Sequence, residues 1–438
     1  MADLLGEFDS VLFLSGVRGD TRRYRSLHPY EQLRLAGVRC MLSHLTDPQA
    51  GRLAQVASHV ILHRVACDRN VERLVGSLQA RGGVAIFDTD DLVFDPAAFR
   101  FINSPDFQDW RRVELYQEEM RRYRAALELC NAVIASTDYL AQQAGALSKP
   151  VWVHRNAFSL EMLERSQAAQ VRRQPIGNRV VIGYASGTPT HNQDFAVVRP
   201  VLQQIMRRYP QVELWLVGPL DIGGGWGDLS ARVKRIGRVP WRELPRILAQ
   251  FDINIAPLVT DNPFAQSKSE IKYMEAGLVR VPSVASPTEA YCYAIRSGDN
   301  GYLAQDERQW EEHLSALIEQ AELRSAAGER ACQDVLRRYH PQVRAQELIK
   351  TLDQITQVVV SRPFRHGVGE PAARTTTTTV KLTDREFRRL EQSPSLLRMA
   401  WYSWRHRGIS VLVRQILVYC RRLIAPIIPY RPRTRPEG

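Results

Sequence analysis

The sequence has no pair of cysteines at a spacing that would hold a metal or a redox centre. Its six cysteines, Cys40, Cys67, Cys130, Cys292, Cys332 and Cys420, are scattered through 438 residues without a CxxC. That pattern argues against a disulfide scaffold and points to reduced, mostly structural thiols in a cytosolic protein. Long apolar runs are missing too. Nowhere do 18 uncharged apolar residues follow one another, so no membrane-spanning helix is expected, and Val11-Leu12-Phe13-Leu14 has strand length rather than that of a signal-peptide core. Acidic residues are scarce in one place only. From Ser361 onward 16 Lys/Arg stand against 5 Asp/Glu, which carries +11 of the net charge of +12 and leaves the preceding 360 residues almost neutral.

What remains is βα alternation. Short apolar runs at Val11–Ser15, Val38–His44, Ala57–Leu62, Val84–Asp88, Ala132–Ala135 and Val151–His154 read as strands. Helical patterns fall between them, at Tyr30–Ala36, Asn70–Arg81 and Trp110–Leu129. Such alternation predicts a doubly wound parallel sheet whose ligands gather at the carboxyl ends of its strands. Two of those ends carry polar clusters. After the first strand comes a glycine-containing loop with four arginines, Arg18, Arg22, Arg23 and Arg25, suited to phosphate or carboxylate contacts or else simply solvated. After Val84–Phe87 comes Asp88-Thr89-Asp90-Asp91. Three carboxylates in four residues can hold Mg²⁺ or Mn²⁺, can orient or activate an acceptor, or can cap a helix at Asp90 or Asp91.

Ser166–Asn178, polar and without apolar period, reads as a linker, after which the alternation restarts. Val180–Tyr184 runs into a loop of small residues, Ala185 to Asp194, whose open backbone N–H groups suit a diphosphate. The helix Phe195–Tyr209, strand Glu213–Val217, helix Trp241–Phe251 and strand Ile253–Pro257 follow. Ser267 to Ser286 is then expected to be a helix leading into a buried strand. Ser267 and Glu270 have capping-box spacing, and Ile271, Met274 and Leu278 form an apolar stripe. Lys268, Lys272 and Glu275 fall near one face of this helix, where a phosphate seat and a sugar contact can share space; the plainer reading is an exposed ion pair. Asn300–Leu303 reads as a last strand, Gln309–Leu336 as a helical run and His340–Val359 as a helix crossing back to the first domain.

The tail differs in kind. His366–Thr383, with five consecutive threonines, reads as a flexible linker. Leu397, Ala400, Trp401 and Trp404 form one apolar stripe, and Ile409, Leu412, Val413, Ile416, Leu417, Cys420, Leu423 and Ile424 a second, with Gly408 between them. Arg398, Arg405, Arg414, Arg421 and Arg422 sit opposite. This is the pattern of an amphipathic helix pair on an anionic membrane surface through 396–424; packing on the body or on another subunit is the alternative, and nucleic acid is not expected.

Gly183-Tyr184-Ala185-Ser186-Gly187-Thr188, Asp194-Phe195, Phe251 to Leu258, Lys268 to Glu275, Tyr273-Met274-Glu275-Ala276-Gly277 and Asn300-Gly301 together resemble the donor domain of GT-B glycosyltransferases of glycosyltransferase family 4 (glycosyl transferases group 1), of the bacterial surface-polysaccharide type. The resemblance runs from about Val11 to Gln357. It implies an α/β GT-B fold of two Rossmann-like domains facing a cleft, at 1–165 and 179–338, with a linker at 166–178, a returning helix at 339–361, a flexible linker at 362–383 and a basic helical tail at 384–438. It also implies transfer from a nucleotide diphosphate sugar, usually with retention, with no cofactor and no essential metal. The family's two glutamates eight residues apart fall on Ser267 and Glu275, so only the second is present, as the ribose contact. The basic pair that holds the diphosphate falls on Ala185 and His191. Donor binding is accordingly expected from Gly187, Thr188, His191, Lys268, Glu270, Lys272 and Glu275, with Glu270 turned about 140° from Glu275. The acceptor-side histidine of the family falls on Asp88, so Asp88 and Lys268 are the catalytic candidates, and Arg18, Arg25, Asp90 and Asp91 the acceptor-side ones. The expected partners are a nucleotide sugar, a glycan or polyprenyl-linked acceptor and the inner face of a membrane, approached from the cytoplasm. A non-catalytic scaffold subunit and a nucleotide-sugar epimerase are the alternatives.

Overall fold

The computed structural model describes residues 9–102, 104, 107, 109–171, 177–365, 391–392, 395–409, 411–414 and 416–417. Two six-stranded sheets, parallel in every pairing, organise the chain. The first contains β1 (Val11–Ser15), β2 (Cys40–His44), β3 (His59–His63), β4 (Val84–Thr89), β5 (Ala132–Ala135) and β6 (Val151–Val153), in the order β2-β1-β3-β4-β5-β6. The second contains β7 (Val180–Ala185), β8 (Val212–Val217), β9 (Val233–Ile236), β10 (Ile253–Ala256), β11 (Ser283–Ala285) and β12 (Tyr302–Leu303), in the order β12-β11-β10-β7-β8-β9.

Both faces of each sheet are covered. Leu12, Leu14, Val60 and Leu62 pack beneath the helices Ala50–Val56 and Arg69–Ala80, while Val11, Phe13, Ile61 and Ile86 pack on the opposite side against Leu348, Leu352 and Ile355 of the helix Pro341–Val360. That helix therefore packs on the first sheet. Burial on two faces explains why the strands read as continuous apolar runs rather than as alternating ones.

Several local expectations change. The capping box expected of Ser267 and Glu270 does not form: the Ser267 hydroxyl bonds Asp91 Oδ1 at 2.9 Å and the Phe264 carbonyl at 2.7 Å, and the helix spans only Ile271–Leu278. Pro263–Gln266 forms its own short turn of helix, capped by Asn262, and Ser267 ends that turn in the right-handed helical conformation, so Ser267 and Glu270 do not occupy the first and fourth positions of a capping box. The run expected over Gln309–Leu336 is two helices, Glu307–Glu319 and Ala321–Tyr339. The first part of the expected linker is helical, because Leu160–Val171 buries Ser166 and Ala169. No apolar run announces β9: its Lys234 and Arg235 are exposed, as suits a charged sheet edge.

Strand register sets the floor of the cleft. Ser15 pairs with His63, and His63 with Asp88, so the polar ends of β1, β3 and β4 form one row. Arg25 closes this row from the following helix: its Nε donates to Asp88 Oδ1 at 3.0 Å and its second nitrogen to Oδ2 at 2.5 Å, with both side chains buried. The remaining guanidinium nitrogen donates to the His154 carbonyl and to Asn156. Removing one partner of such a pair leaves a buried charge without compensation. Arg25→Ala should therefore lower unfolding free energy by about 3–5 kcal/mol, measured by urea denaturation; an unchanged midpoint would refute a structural role for the pair.

Candidate active site

In each sheet the chain reverses its direction of winding once, between β1 and β3 in the first and between β7 and β10 in the second. Crevices at such switch points are where doubly wound sheets bind ligands. Here the two open on one cleft of about 280 Å³, lined from the first lobe by Arg23, Tyr24, Arg64, Asp90 and Asp91 and from the second by residues following β7, β8 and β10. Close backbone approach shapes both walls. A Cβ on Gly16 would lie 2.3 Å from the Arg64 carbonyl, and one on Gly218, at φ +95°, would lie 1.9 Å from the Ser186 carbonyl. Arg64 itself holds φ 45°, an uncommon conformation for a residue with a Cβ.

On the second-lobe wall the helix Ile271–Leu278 presents Lys272 and Glu275, with Lys268 and Ser269 just before it. Glu275 is buried, which pushes its carboxyl above the usual carboxylate range against the opposing pull of Arg23, the Tyr24 hydroxyl and Lys272. The Tyr24 hydroxyl, from the opposite lobe, donates to Glu275 Oε1 at 2.5 Å. Burial lowers the Lys272 ammonium pKa, with Glu275 and Asp194 acting in the other direction. His191 sits at the start of the helix Asn192–Arg208 and pairs through Nδ1 with Asp194 Oδ2 at 2.7 Å; burial holds its imidazole below the ordinary range. Asp194 Oδ1 also accepts the Val259 N–H at 3.1 Å, so this one carboxylate joins the ends of β7 and β10. Gly187 is exposed in the cleft and has open space where a side chain would be.

The acidic row divides its work. Arg64 Nε donates to Asp90 at 2.6 Å and Arg64 also pairs with Asp91 at 3.3 Å. Asp90 is held well below the usual carboxylate range, its burial outweighed by Arg64 and His63. Asp91 reaches across the cleft to Lys268 Nζ at 2.8 Å and to the Ser267 hydroxyl. Each carboxylate is thus committed to cations and donors of the protein itself, and among the described residues no group of three or more His, Cys, Asp or Glu is arranged to hold a metal ion.

The structure gathers Gly187, His191, Lys268, Lys272, Glu275, Asp90 and Asp91 in this cleft. Thr188 lines a neighbouring cavity instead. The expectations for Asp88, Arg25, Glu270 and Arg18 are corrected. Asp88 does not wall the cleft, because Arg25 takes both its oxygens below the floor, and Arg25 is buried with it. Glu270 lies behind the helix, where it accepts from Tyr339 at 2.9 Å and faces Arg155 at 3.6 Å, in keeping with its angular separation from Glu275. Arg18 lines neither cavity. The arginine loop stands out in the sequence, but Arg23 and Tyr24 do not stand out within it. A helical start at Asp20 is the available signal, since it turns these two residues to a different side from Arg25. Arg64 and Trp241, whose ring lines the cleft 4.8 Å from the Arg23 guanidinium, have no local signal.

Comparisons with known proteins bear on the fold. Residues 194–350 match the family described as "Glycosyl transferase-like". No curated protein sequence matches the chain. Among solved structures, Anabaena HepE in complex with UDP is 16% identical and covers 79% of this chain and 100% of its own, with a TM-score of 0.53. Sucrose-phosphate synthase from Thermosynechococcus elongatus is 14% identical over 80% of this chain and 100% of its own, at 0.54. A glycosyltransferase from Rickettsia africae is 11% identical over 80% and 98%, at 0.53. The chain has the two-lobed GT-B fold, and the segment that carries Lys268, Lys272 and Glu275 is similar to the glycosyl transferase-like family.

Proposed function

We propose that this protein transfers a sugar from a nucleoside diphosphate sugar to a lipid-linked or growing glycan acceptor. The observation that carries the reading is the convergence of Glu275, Lys272, Lys268 and the open Gly187 backbone on one cleft at the β7/β10 switch point. HepE, of the same fold, has been solved with UDP and with UDP-glucose, which supports a nucleotide sugar as the ligand.

In this reading the ribose hydroxyls donate to Glu275 and take the place of the Tyr24 hydroxyl. The diphosphate lies against the Gly187 loop, with Lys268 and Lys272 as its cations. As the glycosyl bond breaks, negative charge grows on the departing diphosphate, and fixed cations in a partly desolvated cleft favour that state over the ground state. Lys268 must exchange Asp91 for the diphosphate, so donor binding loosens one link between the lobes. Asp90, Asp91 and Arg64 form the opposite wall, where an acceptor hydroxyl would enter. Retention of configuration and independence of metal are what the family resemblance implies. The tail supports work at the inner face of a membrane: Leu397, Trp401, Trp404, Ile409, Val413, Ile416 and Leu417 are exposed, and Cys420, Leu423 and Ile424 lie outside the described residues. Among the described residues no helix is long and apolar enough to cross a membrane.

With UDP-glucose and related donors, Lys268→Ala and Glu275→Ala should each reduce kcat/KM by roughly 100-fold or more. Unchanged turnover in both would remove the site assignment, and nucleotide release without a glycan product would point to epimerase or hydrolase chemistry. Truncation after Thr383 should abolish sedimentation with phosphatidylglycerol liposomes while UDP still raises the melting temperature. Liposome binding that survives truncation would defeat the anchor.

A further inference from the structure

Arg23 lines the cleft from the first lobe and is only 4% exposed, yet among the described residues its Nε and Nη1 have no hydrogen-bond partner. Its remaining nitrogen, Nη2, donates to Asp20 Oδ1 at 3.1 Å. Buried N–H groups of a charged side chain are costly without acceptors, and a ligand in the cleft can supply them. Two aromatic rings hold the guanidinium. Its carbon lies 4.4 Å from the ring centroid of Tyr24 and 4.8 Å from that of Trp241, the second across the boundary between the lobes. Such contacts fix the plane of an arginine and leave the N–H groups at its edge available.

Trp241 is itself held by the tail. Its indole Nε1 donates to Glu391 at 2.7 Å, and Arg242 Nη1 donates to the same carboxylate at 2.7 Å. Arg242 is anchored in turn on Glu161, at 2.7 and 3.1 Å. Glu391 also acts on the first lobe, where it opposes the burial that lowers the Arg22 pKa to about 10. Further along, Tyr402 is buried against the first lobe, its hydroxyl 3.3 Å from Asn70 Nδ2 and 3.4 Å from Asp68, and Arg407 faces Asp68 at 3.5 Å. The described part of the tail is thus docked on both lobes, and its carboxylate fixes the ring on which Arg23 packs.

We propose that Arg23 is a phosphate contact of the nucleotide donor, made from the first lobe, and that Glu391 of the tail is a positioning residue that acts on it through Trp241. The inference rests on the nucleotide-sugar reading of the cleft. Arg23 is a close enough neighbour of Glu275 to pull on its carboxyl, so the guanidinium stands beside the ribose contact, and the phosphates that follow the ribose are the acceptors its two N–H groups lack. Arg23 differs from Lys268 and Lys272 in coming from the other lobe, so that its bond to phosphate joins the lobes across the ligand. Its orientation depends on the tail, which those lysines do not need. Loss of the tail contact therefore weakens nucleotide binding without removing the site.

The test is titration calorimetry on the full chain with UDP, uridine and inorganic diphosphate as separate probes. Arg23→Ala should weaken UDP by roughly tenfold or more and leave uridine unchanged, because uridine carries no phosphate. Glu391→Ala should weaken UDP by roughly threefold to tenfold, with uridine again unchanged, and the double variant should lose no more than Arg23→Ala alone. Trp241→Phe, which keeps an aromatic ring but not the N–H, should match Glu391→Ala. Wild-type UDP affinity in Arg23→Ala would overturn the phosphate contact, as would an equal loss for uridine. Losses that add in the double variant, or unchanged UDP affinity in Glu391→Ala, would overturn the role of the tail. A chain that binds inorganic diphosphate through Arg23 but binds no UDP would strike the nucleotide reading and keep the anion contact; one that binds none of the probes would remove both.

Discussion

Asp91 ends the polar row of the first sheet, yet the groups that satisfy it come from both lobes: Arg64 from its own, Lys268 and Ser267 from the other. A buried acid in this position is stable only while cations and hydroxyls converge on it. That requirement holds Lys268 at the boundary between the lobes, where an incoming anion can compete for it. The form of the cleft depends on this one carboxylate.

The Tyr24–Glu275 bond repeats the arrangement on the deeper side of the cleft. Each contact ties a first-lobe group to the helix that begins at Ile271 or to the turn just before it, and each uses a side chain that the functional reading assigns to the donor. On that reading a ligand that takes either side chain must replace an interdomain bond. Arg155 supplies a contact outside the cleft: it pairs with Asp138 on its own lobe and with Glu289 on the other, both at 2.5 Å, and lies 3.6 Å from the Tyr293 ring. It joins the lobes through groups that the cleft contacts do not use.

The tail adds a third layer. Its exposed apolar side is the one that helical periodicity marks, but the opposite side is not merely solvated arginine. Tyr402, Arg407 and Arg414 turn toward the first lobe. Periodicity shows that two sides differ; it does not show which surface receives either.

Local pattern alone establishes the parallel, doubly wound class, because strands buried on both faces must be continuous apolar runs and the helices between them must carry periodic stripes. It also brings forward Lys268, Lys272 and Glu275, which lie within eight residues of one another, so that local helix geometry governs their relative placement. Contacts between distant parts of the chain settle what remains. Asp88 and Asp91 are three residues apart, and nothing local distinguishes them; strand register and Arg25 draw one below the floor, while Lys268, 177 residues further along the chain, draws the other into the cleft. Ser267 leaves its expected cap because the chain closes a separate turn of helix at Pro263–Gln266 before Ile271 begins the next, and its hydroxyl then serves the Phe264 carbonyl and the distant Asp91.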